Sequence, residues 1–272
     1  MKVAIQGIKG SFHHIVAEEY FGKNIDLVEC MSFSEMPNLL HSKKAEVIVM
    51  AIENSIAGAI LPNYALIDDH KLAICGEFYL PIQHNLMALE GQNIEDITEV
   101  YSHPMALLQC RKFFDDYPHI KLIEDSDTAS VAKRIQDKKL KGVAAIASSL
   151  AAEIYNLQII APGIQTTKEN STRFFILTNT ENRKSVSANK ASIKFIASHE
   201  TGSLAEVLTI LAKHHLNLSK IQSMPVIETP WKYAFFADFV FDSYADYYNA
   251  LDEVKEKTEA LKILGEYSKS KR

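Results

Sequence analysis

Strand-like and helix-like patterns of apolar positions alternate along the first 180 residues, and that alternation predicts an α/β architecture. Val3–Gln6 reads as a short buried strand, Ser11 as the cap of a helix reaching about Phe21, and Asp26–Glu29 as a second strand. A helix from Ser34 to about His41 leads into Glu46–Ile52, a β-branched apolar run of the kind found in strands covered on both faces. Helical spacing returns at Met105–Phe114 and Ala129–Gln136. Strand-like Ile120–Ile123 lies between them and Gly142–Ile146 follows. Ala147–Tyr155 is alanine-rich and helical, and Thr172–Thr178 closes the region as a strand. Two α/β lobes with a cleft between them fit this pattern, with hinge strands placed around Cys75–Leu80 and Leu157–Gly163.

Glu181–Lys190 is polar and reads as a linker. Beyond it the rhythm changes. Ala191–Ala197 is a strand, Ser203–Lys213 a helix, Asn217–Ser223 a strand, Trp231–Phe241 a long aromatic strand, Tyr244–Lys257 a helix and Leu261–Tyr267 a last strand. That βαββαβ order is the ferredoxin-like one. The expected division is residues 1–180 for the first region and 190–272 for an α+β second domain.

Composition narrows the function classes. The chain has 272 residues, 47% hydrophobic and 23% charged, which is ordinary for a globular protein of two domains. A net charge of −5 argues against a nucleic-acid binder. No apolar run approaches the roughly 18–20 residues that span a bilayer. The N-terminus enters its first strand after one lysine, without the pattern of a secretory leader, so the expected location is cytoplasmic. Cys30, Cys75 and Cys110 are odd in number and lie in apolar surroundings, which suits reduced thiols. No dense cluster of metal-ligand residues appears, so no metal is expected.

Polar side chains gather at a few junctions. Glu53-Asn54-Ser55-Ile56-Ala57-Gly58 leaves a buried strand, and ligands of open α/β sheets bind beyond the carboxyl ends of strands. The same residues would also serve as a helix cap and turn. Asn170-Ser171-Thr172-Arg173-Phe174 sets amide, hydroxyl and guanidinium groups at the start of a strand, suited to a substrate bearing carboxylates. The glycine loop Gly7-Ile8-Lys9-Gly10-Ser11-Phe12 lacks the spacing of a dinucleotide fingerprint and reads as a helix start offering N–H groups to an anion. In Ser102-His103-Pro104 the histidine reads as a cap more readily than as a proton shuttle, and Asp127-Thr128-Ala129 opens another helix with Thr128 a candidate for the cleft.

Taken together, these motifs resemble the prephenate dehydratase family in order and spacing, joined by Ala144-Ala145-Ile146-Ala147-Ser148, Ala151-Ala152 and Tyr155-Asn156-Leu157. The resemblance implies two α/β lobes like a periplasmic binding protein and an active site in the cleft. It also implies a catalytic threonine at Thr172 in the Thr172-Arg173-Phe174 triplet. Met105 stands where the family commonly has glutamine, and His13 where a small hydroxyl residue is usual. The reaction so implied is loss of carbon dioxide and the ring hydroxyl from prephenate, driven by aromatisation, which calls for no cofactor. Thr172, Arg173 and Glu53 are the expected catalytic residues. Glu53, or a trapped water, would resupply the proton that the weakly acidic threonine gives. Ser11, Asn54, Ser55, Thr128, Asn170, Ser171 and Phe174 are expected to bind substrate.

The C-terminal region resembles the ACT domains of the same family, which implies L-phenylalanine as effector and a homodimer or homotetramer. Gly202, Ser203, Leu204, Asn217, Leu218, Gln222 and Ser223 are the expected effector residues. The usual Glu-Ser-Arg-Pro reads Gln222-Ser223-Met224-Pro225 here, a loss of two charges that weakens or alters the effector response. With nothing before the first strand, no chorismate mutase segment is expected. Arogenate as substrate, and a non-catalytic ligand-binding regulator of the same fold, are the two rival readings.

Overall fold

The computed structural model describes residues 1–179, 187–198, 200–226, 229 and 231–271. The chain opens with β1 (Lys2–Gln6), α1 (Phe12–Phe21) and β2 (Asp26–Cys30), β2 lying parallel to β1. A short 3-10 turn and α2 (Met36–His41) bring the chain to β3 (Val47–Asn54), which lines the other edge of β1 in parallel register, Val3 opposite Val47. Val47 to Ile52 are all buried, as their unbroken apolar run requires. Then come β4 (Gly58–Ala59), α3 (Leu61–Asp69) and β5 (Ala73–Pro81).

A second set follows: β6 (Asn85–Ala88), β7 (Glu99–Ser102), α4 (Pro104–Cys110), β8 (Lys121–Glu124), α5 (Thr128–Lys138), β9 (Val143–Ala147), α6 (Ser149–Ile154) and β10 (Gln158–Ala161). β11 (Ser171–Thr178) returns to the first sheet, whose order is β2-β1-β3-β11-β5 with β4 beside β3, while the second sheet runs β10-β6-β9-β7-β8. The crossings therefore fall at 82–84 and 162–170. The first lies just past Cys75–Leu80. The second lies beyond most of Leu157–Gly163, because Gln158–Ala161 is held in the second sheet by antiparallel pairing with β6. The helix starts are capped as their residue types dictate. The Ser11, Asp127 and Ser148 side chains each accept an N–H three residues on, from His14, Ser130 and Ala151.

The last region holds β12 (Lys190–Ala197), α7 (Ser203–Lys213), β13 (Asn217–Pro225), β14 (Tyr233–Val240), α8 (Tyr244–Glu256) and β15 (Thr258–Tyr267). Its sheet is antiparallel throughout, in the order β13-β14-β12-β15, and its core joins Ile193, Phe195 and Phe239 of the strands to Val207, Tyr247 and Val254 of the helices. The ferredoxin-like order read from the sequence is observed. The aromatic strand is shorter than expected: Trp231 has φ +68 and is 81% exposed, so the ladder begins at Tyr233.

Packing divides the chain into Met1–Gly58 with Tyr79–Phe174, and Ala59–Phe78 with Phe175–Arg272. Within the second unit α3 and the start of β5 pack with the C-terminal strands. Asp68 pairs with Lys194 and Lys262, and the Tyr64 ring meets Phe236 at 5.1 Å. Residues 181–186 of the expected linker lie outside the described residues. Lys190, its expected last residue, is instead the first residue of β12, 2% exposed, with Nζ 2.9 and 2.8 Å from the two Glu77 carboxylate oxygens.

Candidate active site

The end of β3 and the start of β11 lie side by side, and backbone pairing runs through their side chains. The Ser55 N–H donates to the Ser171 carbonyl at 2.8 Å, and the Ser171 N–H donates to Ser55 Oγ at 3.0 Å. Asn54 sits at the centre of this junction. Its Oδ1 accepts the N–H groups of Ile56 and Ala57 at 3.0 and 2.9 Å. Its Nδ2 donates to Asn170 Oδ1 at 2.8 Å, Thr172 Oγ1 at 2.9 Å and the Ser171 carbonyl at 3.3 Å. Asn54, Ser55, Asn170, Ser171 and Thr172, chosen from stretches far apart in sequence, thus form one cluster. Asn170 and Thr172 are buried, and Ser55 is exposed, so the cluster opens toward solvent on one side.

Two members of this cluster escaped the sequence reading. Asn170 Nδ2 donates to Gln109 Oε1 at 2.9 Å, and the same oxygen lies 3.0 Å from His84 Nε2. Gln109 stands one helical turn after Met105 on α4, so the two share a face. An amide is therefore present on that face even though Met105 occupies the usual glutamine position. His84 is a lone histidine in Pro81-Ile82-Gln83-His84, with no neighbouring motif to mark it. Its backbone is tied down on both sides, by Gln165 Oε1 to its N–H at 3.0 Å and by the Ile164 N–H to its carbonyl at 2.8 Å. Burial, the largest influence, holds the His84 imidazole below the ordinary histidine pKa and hence neutral.

The other expected residues are placed differently. Arg173 follows Thr172 on a strand and so leaves the opposite face. It is buried, its guanidinium 5.8 Å from the centre of the Tyr79 ring. Phe174 returns to the Thr172 face and meets His13 edge-on at 5.0 Å. His13 is structural: its Nε2 accepts the Ala51 N–H at 3.3 Å, and burial lowers its pKa to about 3. Glu53 is half-buried and precedes Asn54, so the two side chains leave opposite faces of β3. Ser11 serves as the cap of α1, and Thr128 is half-buried at the start of α5. The Ser11 loop is set by Gly10, at φ +89, where a Cβ would come within 2.9 Å of the Ala151 backbone. The Ser148 hydroxyl holds the Gly10 carbonyl there at 2.6 Å. The glycine loop and the Ser148–Ala151 helix start are thus in direct contact. His103 caps α4 by accepting the Met105 N–H at 3.2 Å, as expected.

In the C-terminal domain Gly202, at φ +91, begins α7, and Ser203 Oγ donates to the Ser198 carbonyl at 2.7 Å. Leu204 and Leu218 pack against the domain core, while Asn217 and Ser223 are exposed and Gln222 Nε2 donates to the Ser223 carbonyl at 3.0 Å.

The chain belongs to the prephenate dehydratase family, whose model matches residues 3–182. A bifunctional chorismate mutase/prephenate dehydratase from Aquifex aeolicus is 34% identical over 99% of this chain and 74% of its own length. The Arabidopsis thaliana protein named arogenate dehydratase/prephenate dehydratase 2, chloroplastic, is 35% identical over 98% of this chain and 72% of its own. Among solved structures, GqqA, described as a novel type of quorum quenching acylase, superposes with TM-score 0.89 at 25% identity, over 99% of this chain and 98% of that one. The prephenate dehydratase from Arthrobacter aurescens in complex with L-Phe has the same fold, with TM-score 0.87 at 23% identity, over 99% and 90% of the two chains.

Proposed function

We propose that this chain is a prephenate dehydratase, a carbon–oxygen lyase that converts prephenate to phenylpyruvate, carbon dioxide and water. The observation that carries the reading is the direction of the hydrogen bond between Asn54 and Thr172. Two backbone N–H groups occupy Asn54 Oδ1, so the amide turns its NH₂ toward Thr172, and the threonine oxygen accepts. A hydroxyl whose oxygen is the acceptor keeps its own proton free to donate. Thr172 is therefore prepared to donate to a leaving hydroxyl. In the reaction the carbon–carboxylate bond breaks, its electron pair enters the ring, and the ring hydroxyl departs with a proton as water. Aromatisation drives both losses, with no net redox change.

Asn54, Ser55 and Ser171 hold the substrate beside Thr172. Ser11, Thr128 and the N–H groups that open α1 and α5 receive its carboxylates. Buried Arg173 adds a fixed positive charge that favours a dianionic substrate. A water resupplies the threonine proton, because Glu53 leaves β3 on the face opposite Asn54. The C-terminal domain is an ACT module that binds L-phenylalanine through Gly202–Leu204, Asn217, Leu218, Gln222 and Ser223. The enzyme works in the cytoplasm as a homodimer or homotetramer.

The likeness to an acylase raises a second chemistry, which needs a nucleophile activated by an adjacent base. Thr172 is bonded to an amide N–H that cannot act as a base, which favours dehydration. The test is turnover of prephenate by the purified protein, with phenylpyruvate followed by its ultraviolet absorbance and arogenate as second substrate. Formation of phenylpyruvate is the expected result. Turnover of arogenate alone would move the assignment to that substrate. Binding of prephenate without turnover would leave a ligand-binding regulator and overturn the proposal.

A further inference from the structure

The hydrogen bonds around Thr172 have a direction that can be followed outward from the backbone. The Ile56 and Ala57 N–H groups can only donate, and both reach Asn54 Oδ1. Asn54 therefore presents Nδ2 to Asn170, which must answer with Oδ1. Asn170 in turn has only Nδ2 left for Gln109, so Gln109 Oε1 is an acceptor. The second group on that oxygen, His84 Nε2 at 3.0 Å, must then carry a proton. The neutral imidazole has one N–H, so Nδ1 is left as a bare lone pair. It is buried, with no hydrogen-bond partner among the described residues. The other tautomer would set a lone pair against Gln109 Oε1, which is repulsive. The tautomer of His84 is thus settled by two backbone N–H groups on the far side of Thr172.

We propose that His84 is a positioning residue whose Nε2–H tautomer and the outward-pointing proton of Thr172 are the two ends of one directional chain, His84–Gln109–Asn170–Asn54–Thr172. The chain does not carry protons, because its three middle members are amides, neither acids nor bases at neutral pH. It carries orientation. His84 is suited to anchor it: the residue is 4% exposed, and its ring is packed edge-on against Phe12 at 5.5 Å. Its backbone is held on both sides by the bonds to Gln165 and Ile164. The catalytic part of this role rests on the dehydratase reading, while the tautomer does not.

The sharpest test is Asn54→Asp, which keeps shape but replaces the donor with an acceptor. Every amide in the chain must then flip: Asn170 donates to residue 54, Gln109 donates to His84, and His84 must accept at Nε2. The Thr172 hydroxyl turns inward onto the new carboxylate. Nitrogen-15 spectra of the imidazole in the free protein are expected to show the proton on Nε2 in the wild type and on Nδ1 in Asn54→Asp. The companion test is kinetic. His84→Gln places an amide N–H near the position of Nε2 and is expected to keep kcat within about threefold, whereas His84→Leu loses roughly tenfold to a hundredfold in kcat with little change in KM. His84→Asn, which retains a group only at the Nδ1 position, is expected to behave like the leucine variant. An Nε2–H signal that persists in Asn54→Asp overturns the chain, as does a His84→Gln enzyme as impaired as His84→Leu. If the wild type turns over neither prephenate nor arogenate, the dehydratase reading fails and the spectra alone decide.

Discussion

At the level of single residues, the site depends on which partner donates. Thr172 accepts from Asn54 and is 9% exposed, so its hydroxyl keeps its own proton for donation. Thr172→Val keeps the shape and removes the donor. It is expected to lower kcat by roughly 10²–10³-fold, the usual cost of losing one preorganised donor at a developing charge, with KM changed little. Thr172→Ser restores the hydroxyl and is expected to recover most of the rate. A valine variant with near wild-type kcat would remove Thr172 from the chemistry. The threonine, its asparagine and the two serines were legible in the sequence because each sits in a short polar cluster at a strand end. Gln109 and His84 were not. A glutamine on an amphipathic helix and a lone histidine in a crossing segment acquire meaning only when folding brings them to Asn170. Arg173 was expected beside Thr172 as a catalytic group, but strand alternation sends it to the opposite face.

Among the elements, long apolar or capped segments were read well, and so was the four-residue β8, whereas several other short ones were missed. β3 and α5 announce themselves through an unbroken apolar run and an Asp cap. β6 and β7, four residues each, offer too few positions for a period to emerge, and α3 has little amphipathic contrast. Lys190 shows a different failure. A lysine at the end of a polar stretch reads as linker, yet it opens β12 with its amine against Glu77 on β5, at 2% and 0% side-chain exposure. Sequence does not show that a carboxylate 113 residues away waits in the same interior. The pair sets a stability test. Lys190→Met removes the cation from a buried carboxylate and is expected to cost about 3–5 kcal/mol in urea unfolding. Lys190→Met combined with Glu77→Leu removes both charges and is expected to recover most of that loss. A single variant as stable as the wild type would show that the two charges are not coupled.

For the whole molecule, the question is whether the C-terminal domain passes a ligand signal to the family's catalytic region. Its βαββαβ order was legible because six well-spaced elements follow a clear change of rhythm. An effector role for it is expected only through resemblance, and the Gln222 and Met224 departures bear directly on that expectation. Gly202 and Ser203 open α7, but the Ser203 N–H and hydroxyl already donate to the Glu200 and Ser198 carbonyls at 3.2 and 2.7 Å. Leu204 and Leu218 are partly spent on the domain core, so carboxylate binding there requires exchange of those bonds. A ligand that binds only the folded state stabilises it by about 2.7 kcal/mol at a hundredfold excess over its Kd. L-phenylalanine is therefore expected to raise the thermal midpoint by several degrees and to lower prephenate turnover over the same concentration range. Ser203→Asp, which sets a negative charge where the carboxylate is proposed to sit, is expected to abolish both responses while leaving turnover without phenylalanine unchanged. A midpoint that rises while turnover holds would mean that the domain binds phenylalanine but is uncoupled from the site. A midpoint that does not move at millimolar phenylalanine would remove it as effector, and the loss of the glutamate and arginine at positions 222 and 224 would then be the physical reason.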